Sequence, residues 1–493
     1  MSGPAKPTLP WEALGLGAIG LATLAKLYLI AAGPDLEVDS YGHALAARLL
    51  LQNPTDLGVH WVWLPLGHVV SALLLSAGSG MDGMRYLNCA LTSLLAIAIA
   101  LSIDAGSRNF EARAFRWTTA AVVALCPLAL STGESGALEP LFAILVVASA
   151  WAVRNRHGTT AAVFASCAAL LRYEGWLLPP VFFWVWWNSG RARGLISAWL
   201  GPLAAIGAYV GFRAGPSGQV LAFLGENAAY TRSFFANVAV AWPVPPHASW
   251  MSIWYALIIP AIVLGPLLPF ALGGAASVAR RGPRPLTTAL LAILVFLSIG
   301  FVARQHLGLS RHALTLTPIY AMAAAAGLLA AAAWLHRRLE VGRIGVERWT
   351  FGFVTLALLC FAGTRTLPTF VARSAQHRHD YRDELAIAGA LQSVWSKRAR
   401  VFCDATAVET LSDLPPASFV RWQLRDTLAW NLRFESAAGR EVFVVGTEAG
   451  AAHLRKQLRV VGRSGELVLY RFVPSDAAIA EHSSAGAPPS SGL

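Results

Sequence analysis

Long apolar segments recur along the chain from residue 11 to residue 366, separated by short polar stretches. A helix of about 20 mostly apolar residues crosses the ~30 Å hydrocarbon layer of a membrane. The pattern therefore predicts an α-helical polytopic membrane protein. The eleven predicted spans lie near residues 11–32, 87–103, 117–131, 140–153, 158–171, 176–188, 198–213, 251–272, 287–303, 313–335 and 350–366.

One further apolar stretch, residues 61–78, decides the topology. If it crossed the membrane, every later loop would change sides. If it lies in the membrane interface, the inner segments carry 15 Lys and Arg and the short outer loops carry 6. Positive residues favour the cytoplasmic side. We therefore expect eleven spans with an interfacial helix at 61–78, and an extracytoplasmic C-terminus.

Composition agrees with a membrane protein and excludes other classes. Of the 493 residues, 56% are hydrophobic and 13% charged, against roughly 25% charged in soluble proteins. The net charge of +12 does not indicate nucleic-acid binding, because the arginines are spread over loops without an aromatic-interleaved basic patch. The five cysteines are not closely spaced, so they support neither a disulfide framework nor a cysteine metal site.

The first outer loop carries a cluster of polar residues at alternate positions: Asp35, Glu37, Asp39, Tyr41 and His43. If the stretch is extended, all five point to one side. Ser40 or Asp39 would then cap an amphipathic helix over 43–52. The three carboxylates of Asp35, Glu37 and Asp39 also suit a divalent cation, which prefers oxygen ligands. Asp39 is thus a helix cap, a metal ligand or a reacting group.

A second informative stretch is Arg172-Tyr173-Glu174-Gly175-Trp176, between two short apolar segments. At ~1.5 Å per residue, helices this short do not reach across ~30 Å, so their connection is expected to lie below the membrane surface. Ionisable groups at such depth usually face a polar cavity with a function. The alternative is an ordinary surface loop.

The predicted topology places the polar outer loops on one face of the bundle. Besides the first loop, these loops carry Glu134, Glu139, Arg172, Glu174, His306 and Arg311. We therefore expect a single polar site near the extracytoplasmic surface of the membrane.

In order and sidedness, the outer motifs resemble those of the GT-C glycosyltransferases that use polyprenyl-phosphate sugars. The nearest resemblance is to the bacterial group related to protein O-mannosyltransferases and aminoarabinose transferases, and it covers about residues 11–335. The matching stretches are Glu37-Val38-Asp39-Ser40-Tyr41-Gly42-His43, His60-Trp61-x-Trp63-Leu64-Pro65-Leu66, Ser135-Gly136-Ala137-Leu138-Glu139-Pro140-Leu141-Phe142, Leu171-Arg172-Tyr173-Glu174-Gly175 and Arg311-His312-Ala313-Leu314-x-Leu316-x-Pro318. The chain departs from the family pattern at His60, which no Pro pair follows.

The resemblance implies a hexosyl- or pentosyltransferase of the bacterial plasma (inner) membrane whose donor is a sugar on a polyprenyl phosphate. The acceptor would be a glycan, a lipid or a protein. Asp39 is then the general base, and Arg172 and Arg311 stabilise the departing phosphate. Glu139 would orient the acceptor or a metal, and Glu174 would bind substrate or simply hold Arg172. Tyr41, His43 and His60 are further candidates for substrate binding. No cofactor is firmly implied, and a divalent metal stays open.

Residues 367–474 differ from the apolar part, residues 1–366. Apolar runs at 401–403, 442–446 and 467–472 predict strands, and 450–460 predicts a helix. We expect a small extracytoplasmic α/β domain that binds the acceptor, binds another partner or acts as a stabilising cap. The Ala/Ser/Pro/Gly-rich tail, 475–493, is predicted to be disordered.

The alternative functions are a secondary transporter and a non-catalytic membrane scaffold. A transporter should show internal repeats and interrupted helices near the midplane. The two halves of this chain show no repeat, and the polar residues fall in the outer loops. A membrane glycosyltransferase is therefore the preferred hypothesis.

Overall fold

The structure, a computed structural model, describes residues 11–55, 60, 63–103, 109–190, 192–214, 225, 228–232, 235, 248–339, 345–403, 405–415, 418–420, 432, 435–436, 438–451, 454 and 456–473. The chain folds as two compact units. The first comprises Met1–Asp35 and Pro54–Ser374, and the second comprises Leu36–Asn53 and Ala375–Leu493. Residues 36–53, directly after Asp35, thus belong to the same unit as the C-terminal part of the chain.

Helices make up the first unit over its described length. In chain order the helices are α1 (Trp11–Ala32), α2 (Val38–Gln52, in the second unit), α3 (Pro65–Ser76), α4 (Asp82–Ser102), α5 (Phe110–Leu125), α6 (Pro127–Gly133), α7 (Glu139–Arg154), α8 (Gly158–Ala169), α9 (Leu178–Asn188), α10 (Ile196–Ala214), α11 (Ala248–Ser252), α12 (Ile259–Leu264), α13 (Leu268–Arg281), α14 (Arg284–Val302), α15 (Thr317–Arg338), α16 (Val346–Phe361) and α17 (Leu367–His379). Short 3-10 turns include Tyr173–Leu177 and Ser310–Leu316, and π-helical turns lie at Trp254–Ile258 and Ala362–Thr366.

Seven helical segments among the described residues are long and apolar enough to cross a membrane, and an eighth is added if α5 and α6, bent by 53°, form one span. The protein is therefore an integral membrane protein, as predicted. The expected number of eleven is not reached by this measure. The fourth to sixth predicted spans correspond to α7, α8 and α9, which have 16, 12 and 11 residues. The predicted interfacial stretch contains the helix α3.

Small residues allow the helices of the first unit to approach closely. A Cβ at Gly274 of α13 would lie 2.0 Å from the Ala323 carbonyl oxygen of α15. A Cβ at Gly327 of α15 would lie 1.8 Å from the Phe270 carbonyl oxygen of α13. The two backbones therefore touch, which is how helices gain packing energy in lipid, where apolar side chains have no preference for each other over the lipid tails.

The second unit contains a five-stranded sheet. Its strands are β1 (Arg400–Cys403), β2 (Phe419–Val420), β3 (Val442–Thr447), β4 (Leu458–Ser464) and β5 (Leu467–Phe472), in the order β2-β1-β3-β5-β4. Strand β1 pairs in parallel with β2 and β3, and β5 pairs antiparallel with β3 and β4. The helices α18 (Arg382–Val394), α19 (Thr406–Leu411) and α20 (Glu448–Ala451) complete the described part.

The predicted strands are confirmed, but the predicted helix over 450–460 is wrong. Helix α20 ends at Ala451, and β4 begins at Leu458. The β-branched pair Val460-Val461 favours a strand, and a register shift between Val460 and Gly462 accommodates the extra residue. The tail 475–493 lies outside the described residues.

Contrary to the expectation, the first outer loop is not extended over its whole length. Helix α2 begins at Val38, its N-cap is Glu37, and that cap makes no side-chain capping bond. Asp39 therefore lies in the first turn, where a carboxylate is favoured by the helix dipole. The prediction that Ser40 or Asp39 caps a helix over 43–52 is therefore wrong. Asp39 and His43, four residues apart, instead share one helix face.

Candidate active site

The turn Tyr173–Leu177 positions Arg172 and Glu174 between α8 and α9. Glycine is required at position 175, because a Cβ there would lie 2.5 Å from the Ala168 carbonyl oxygen. The tight turn buries Glu174, which is 5% exposed. Arg172 Nη2 donates to Glu174 Oε1 at 2.9 Å.

Glu139 is the first residue of α7, with Pro140 behind it in the first turn. Its carboxylate lies at the helix N-terminus and is 3% exposed. Its Oε1 accepts from Arg172 Nη1 at 2.8 Å and lies 3.2 Å from Arg311 Nε. One carboxylate oxygen thus joins two guanidinium groups that are far apart in the sequence.

The segment between α14 and α15 supplies the remaining members. Arg311 and His312 belong to the 3-10 turn Ser310–Leu316, and His306 precedes it. His312 Nε2 lies 3.5 Å from Glu139 Oε1, and His306 Nε2 lies 3.9 Å from Glu174 Oε1. We call Glu139, Arg172, Glu174, His306, Arg311 and His312 the Glu139 cluster. The structure brings four predicted site residues together here: Glu139, Arg172, Glu174 and Arg311.

The charges of the Glu139 cluster balance. Burial raises the pKa of Glu174, but Arg172 and His306 lower that pKa more, so it lies below its usual value. Burial lowers the pKa of Arg172, but Glu174 and Glu139 raise that pKa more, so the guanidinium stays charged. Burial lowers the pKa of His306 to about 4, with Glu174 opposing and Arg172 adding to the shift. His306 is therefore neutral at pH 7.

A second group of buried charges, which we call the Glu134 cluster, comprises Arg85, Glu134 and Arg373. The Glu134 side chain is 0% exposed and pairs with Arg373 and, at 3.6 Å, with Arg85 Nη2. Arg85 Nε donates to the Glu134 carbonyl at 2.8 Å, and its Nη1 donates to the Gly33 carbonyl at 2.9 Å. Arg85 Nη1 also pairs with Asp82 at 2.8 Å. Arg85 thereby holds the segments around Gly33 and Glu134 against α4.

Further bonds fix the loop that leads to Glu139. Asn88 Nδ2 donates to the carbonyls of Ser135 and Ala137 at 2.7 and 2.6 Å. Asp35, 5% exposed, accepts from the Gly136 amide at 2.5 Å. The buried Asp35 is therefore a structural acceptor within the first unit.

The other residues of the first loop lie in the second unit, with α2. Asp39 is partly buried, and Tyr41 and His43 are 1% and 6% exposed. The rings of Tyr41 and Tyr381 lie 5.2 Å apart, and the Thr410 hydroxyl donates to the Tyr41 carbonyl at 3.5 Å. The helix that carries Asp39 is thus packed within the C-terminal unit.

His60 makes a contact that its motif did not predict. Its Nδ1 lies 2.8 Å from His68 Nδ1, and the two rings are stacked with an interplanar angle of 4°. Both side chains are buried. One ring must donate and the other accept, so the two histidines hold a single shared proton between them.

The structure also contains a group that could hold a metal. Among the described residues, Glu174, His306 and His312 offer three ligand atoms within 4.8 Å of one another. Imidazole and carboxylate ligands suit zinc and related ions. The expected trio of Asp35, Glu37 and Asp39 is not such a group among the described residues: Asp35 bonds the Gly136 amide, and Glu37 and Asp39 lie at the start of α2.

The sequence reasoning missed Arg85, Asn88 and Arg373. Arg85 and Asn88 lie on one face of an otherwise apolar helix, and this placement of polar residues is a signal that could have found them. Arg373 pairs with a residue 239 positions away, for which the sequence offers no signal.

No protein-family model and no curated protein sequence matches the chain. Solved structures are similar to it in fold. ArnT from Cupriavidus metallidurans bound to undecaprenyl phosphate has a TM-score of 0.61 at 13% identity, over 93% of this chain and 98% of that chain. Its apo form has a TM-score of 0.60 at 14% identity, over 92% and 97%.

The oligosaccharyltransferase AglB from Archaeoglobus fulgidus, in complex with an inhibitory peptide and a dolichol-phosphate, has a TM-score of 0.50 at 13% identity, over 88% of this chain and 69% of that chain. At these identities the likeness concerns the fold. The chain has the GT-C fold, and the resemblance of its outer motifs is confirmed at that level.

Proposed function

We propose that the protein is a membrane glycosyltransferase that moves a sugar from a polyprenyl-phosphate donor to an acceptor on the extracytoplasmic face. The observation that carries the proposal is the pairing of Arg172 and Arg311 on one oxygen of Glu139, at 2.8 and 3.2 Å. The two guanidinium groups converge in a protein with the GT-C fold, whose solved examples include structures with bound undecaprenyl and dolichol phosphates.

The two arginines are suited to the leaving group of this reaction. As the bond between the anomeric carbon and the phosphate oxygen breaks, its electron pair passes to the phosphate. Preorganised cationic donors stabilise such developing charge, and guanidinium groups bind phosphate bidentately. Arg172 and Arg311 are 16% and 17% exposed, so both can reach a ligand while Glu139 holds them. Glu139 is in this proposal the residue that positions the arginines.

Asp39 is proposed as the general base. The acceptor oxygen attacks the anomeric carbon, and its proton passes to the Asp39 carboxylate. Tyr41, His43 and His60 are proposed to contact the substrates, and Glu174 to hold Arg172. The domain proposal assigns residues 1–366 to the catalytic membrane part and 367–474 to an extracytoplasmic domain.

The Asp39 proposal is tested by Asp39→Asn, which keeps size but cannot accept a proton. We expect this variant to fold, to bind undecaprenyl phosphate and to lose transfer by about 10²–10⁴-fold. Transfer is measured as release of undecaprenyl phosphate from a panel of undecaprenyl-phosphate hexoses and pentoses in membranes of the source strain.

Asp35→Asn and Glu37→Gln are the matched controls, and both should lose much less transfer per folded molecule. Wild-type turnover in Asp39→Asn together with an inactive Glu37→Gln would assign the base to Glu37 instead.

The topology proposal is tested by cysteine labelling from outside intact cells. Single cysteines within 104–116 should react only after permeabilisation, because the excess of positive residues predicts a cytoplasmic position. Cysteines within 480–490 should react in intact cells. Equal labelling of both regions from outside would exclude the eleven-span topology.

A further inference from the structure

The tautomer of His306 follows from its neighbours. The backbone amide of Gly308 donates to His306 Nδ1 at 3.2 Å. An amide N–H can only donate, so Nδ1 must present a lone pair, and the ring proton is on Nε2. The Tyr255 hydroxyl lies 3.3 Å from the same Nδ1 and donates to the Leu309 carbonyl at 3.2 Å.

The tautomer of His312 follows from that of His306. His306 Nε2 lies 2.8 Å from His312 Nδ1. Because Nε2 of His306 carries the proton, Nδ1 of His312 must accept it as a hydrogen bond, and the proton of a neutral His312 is on Nε2. That Nε2 lies 3.5 Å from Glu139 Oε1. Gly308 therefore donates to His306 and His306 donates to His312, and the last step, from His312 Nε2 to Glu139 Oε1, is longer than a normal hydrogen bond.

Aromatic residues hold the Gly308 end of this hydrogen-bond chain in place. Trp254 Nε1 donates to the Gly308 carbonyl at 2.8 Å. Tyr255 is 0% exposed, and the Tyr320 hydroxyl donates to its carbonyl at 2.6 Å. Gly308 has φ +71°, which glycine adopts without strain. The amide that fixes the His306 tautomer is thus itself fixed in the bundle.

We infer that His306 and His312 form a directed hydrogen-bond chain that orients Glu139 and so keeps Arg172 and Arg311 together for the lipid phosphate. The inference rests on the proposed function. His306 is a positioning residue that acts through His312. Without the chain, the Glu139 carboxylate can turn on its side-chain bonds, and the two guanidinium groups lose their common partner. A preorganised site binds more tightly because less order must be gained on binding.

The test compares two amides at position 306. The amide nitrogen of Gln lies near the place of histidine Nε2, whereas that of Asn falls short of His312. We expect His306→Asn to weaken binding of undecaprenyl phosphate to the purified full-length protein about fivefold, the equivalent of one net hydrogen bond. His306→Gln should bind as the wild type does. His157→Asn, at an exposed histidine, is the control. Native mass spectrometry in detergent measures the affinities.

A double-mutant cycle tests whether His306 acts through His312. His312→Ala should weaken binding about as much as His306→Asn, and the double variant should be no weaker than His312→Ala alone. Additive losses, or equal losses in His306→Asn and His306→Gln, would overturn the inference. The inference would also be overturned if the wild-type protein held one zinc ion per molecule and both His306→Asn and His312→Ala lost it. A metal ion would then occupy the nitrogen lone pairs that accept the hydrogen bonds.

Nitrogen NMR of ¹⁵N-histidine-labelled wild-type protein provides a readout that needs no variant. Coupling across the hydrogen bond should join Nε2 of one neutral ring to Nδ1 of another, and this identifies the pair among the 12 histidines. The His60–His68 pair would instead join two Nδ1 atoms. A proton on Nδ1 of His306 or His312 would contradict the inference even if the protein proves to be a glycosyltransferase. Failure of the wild type to bind undecaprenyl phosphate would overturn the proposed function and leave the tautomers as a separate result.

Discussion

The Glu134 cluster and the Glu139 cluster use the same residue types for different ends. Each centres on a buried glutamate flanked by two arginines. In the Glu134 cluster, Arg85 is 1% exposed and donates to the backbone carbonyls of Gly33 and Glu134. Its second arginine, Arg373, is 19% exposed and donates to the Glu134 carboxylate. In the Glu139 cluster, Arg172 and Arg311 meet on a carboxylate and keep 16% and 17% of their surface exposed.

This difference indicates which cluster can bind a ligand. A guanidinium group that donates to backbone carbonyls holds loops in place. If it moved to a ligand, those carbonyls would be left buried without a hydrogen-bond partner, which costs free energy. A guanidinium group that pairs with a carboxylate at a partly open position can share its donors with an incoming phosphate. The Glu139 cluster holds two such groups on one carboxylate oxygen, whereas the Glu134 cluster holds one, Arg373. Buried charge by itself therefore does not identify a site, and the partners of the charge must be examined.

The largest effect is expected for stability in the Glu134 cluster. Glu134→Gln leaves Arg85 and Arg373 facing a neutral amide, and breaking a buried ion pair typically costs about 3–5 kcal/mol. Thermal unfolding in detergent should therefore show a strong loss, while transfer per folded molecule stays close to the wild-type rate.

Asp82→Asn is the matched control, because Asp82 pairs with the same Arg85 but is 50% exposed. A pair whose carboxylate is half exposed is screened by solvent and contributes less than a fully buried pair. If Glu134→Gln is no less stable than Asp82→Asn, or if its folded fraction is inactive, the Glu134 cluster is not the structural cluster that we describe.

The next largest effect is expected for turnover in the Glu139 cluster. Arg172→Ala and Arg311→Ala should each lower the transfer rate by about 10²-fold, which is typical for the loss of one group that stabilises transition-state charge. Lysine at either position should restore only part of the rate, because an ammonium group lacks the planar, bidentate donors of guanidinium. The rate is measured at matched protein levels with the lipid panel used for Asp39.

Arg304→Ala is the control for Arg311, since Arg304 lies in the same connection and is exposed. Its rate should equal that of the wild type. Full activity of both Arg172→Ala and Arg311→Ala would exclude the two arginines from the reaction.

The polar loops of the membrane unit could be predicted because apolar segments delimit them. Glu139, Arg172 and Arg311 each follow or precede an apolar run, and charge asymmetry assigned them to one face. Their convergence on one carboxylate oxygen needed the structure, since residues 139 and 311 meet only through the packing of α7 against the turn after α14. The hydrogen-bond chain of His306 and His312 also required the structure, because their tautomers are inferred from distances between atoms.

The first outer loop shows where sequence patterns are ambiguous. Alternating acidic residues from Asp35 to Asp39 are compatible with an extended strand or with the first turn of a helix, and the helix dipole favours the second. The sequence pattern also did not indicate that α2 belongs to the C-terminal unit. That assignment depends on contacts such as Tyr41 with Tyr381, which are 340 positions apart, and on the pair of Arg48 with Asp413 at 2.6 Å.

The most direct measurement is the affinity of undecaprenyl phosphate for three purified full-length proteins: the wild type, the double variant Arg172→Ala/Arg311→Ala and the single variant Arg373→Ala. The first and third should bind alike within the folded fraction, and the double variant should lose binding, because the proposed phosphate site uses the two arginines of the Glu139 cluster. Equal binding by all three proteins, or loss of binding in folded Arg373→Ala alone, would contradict the assignment of the phosphate site to the Glu139 cluster.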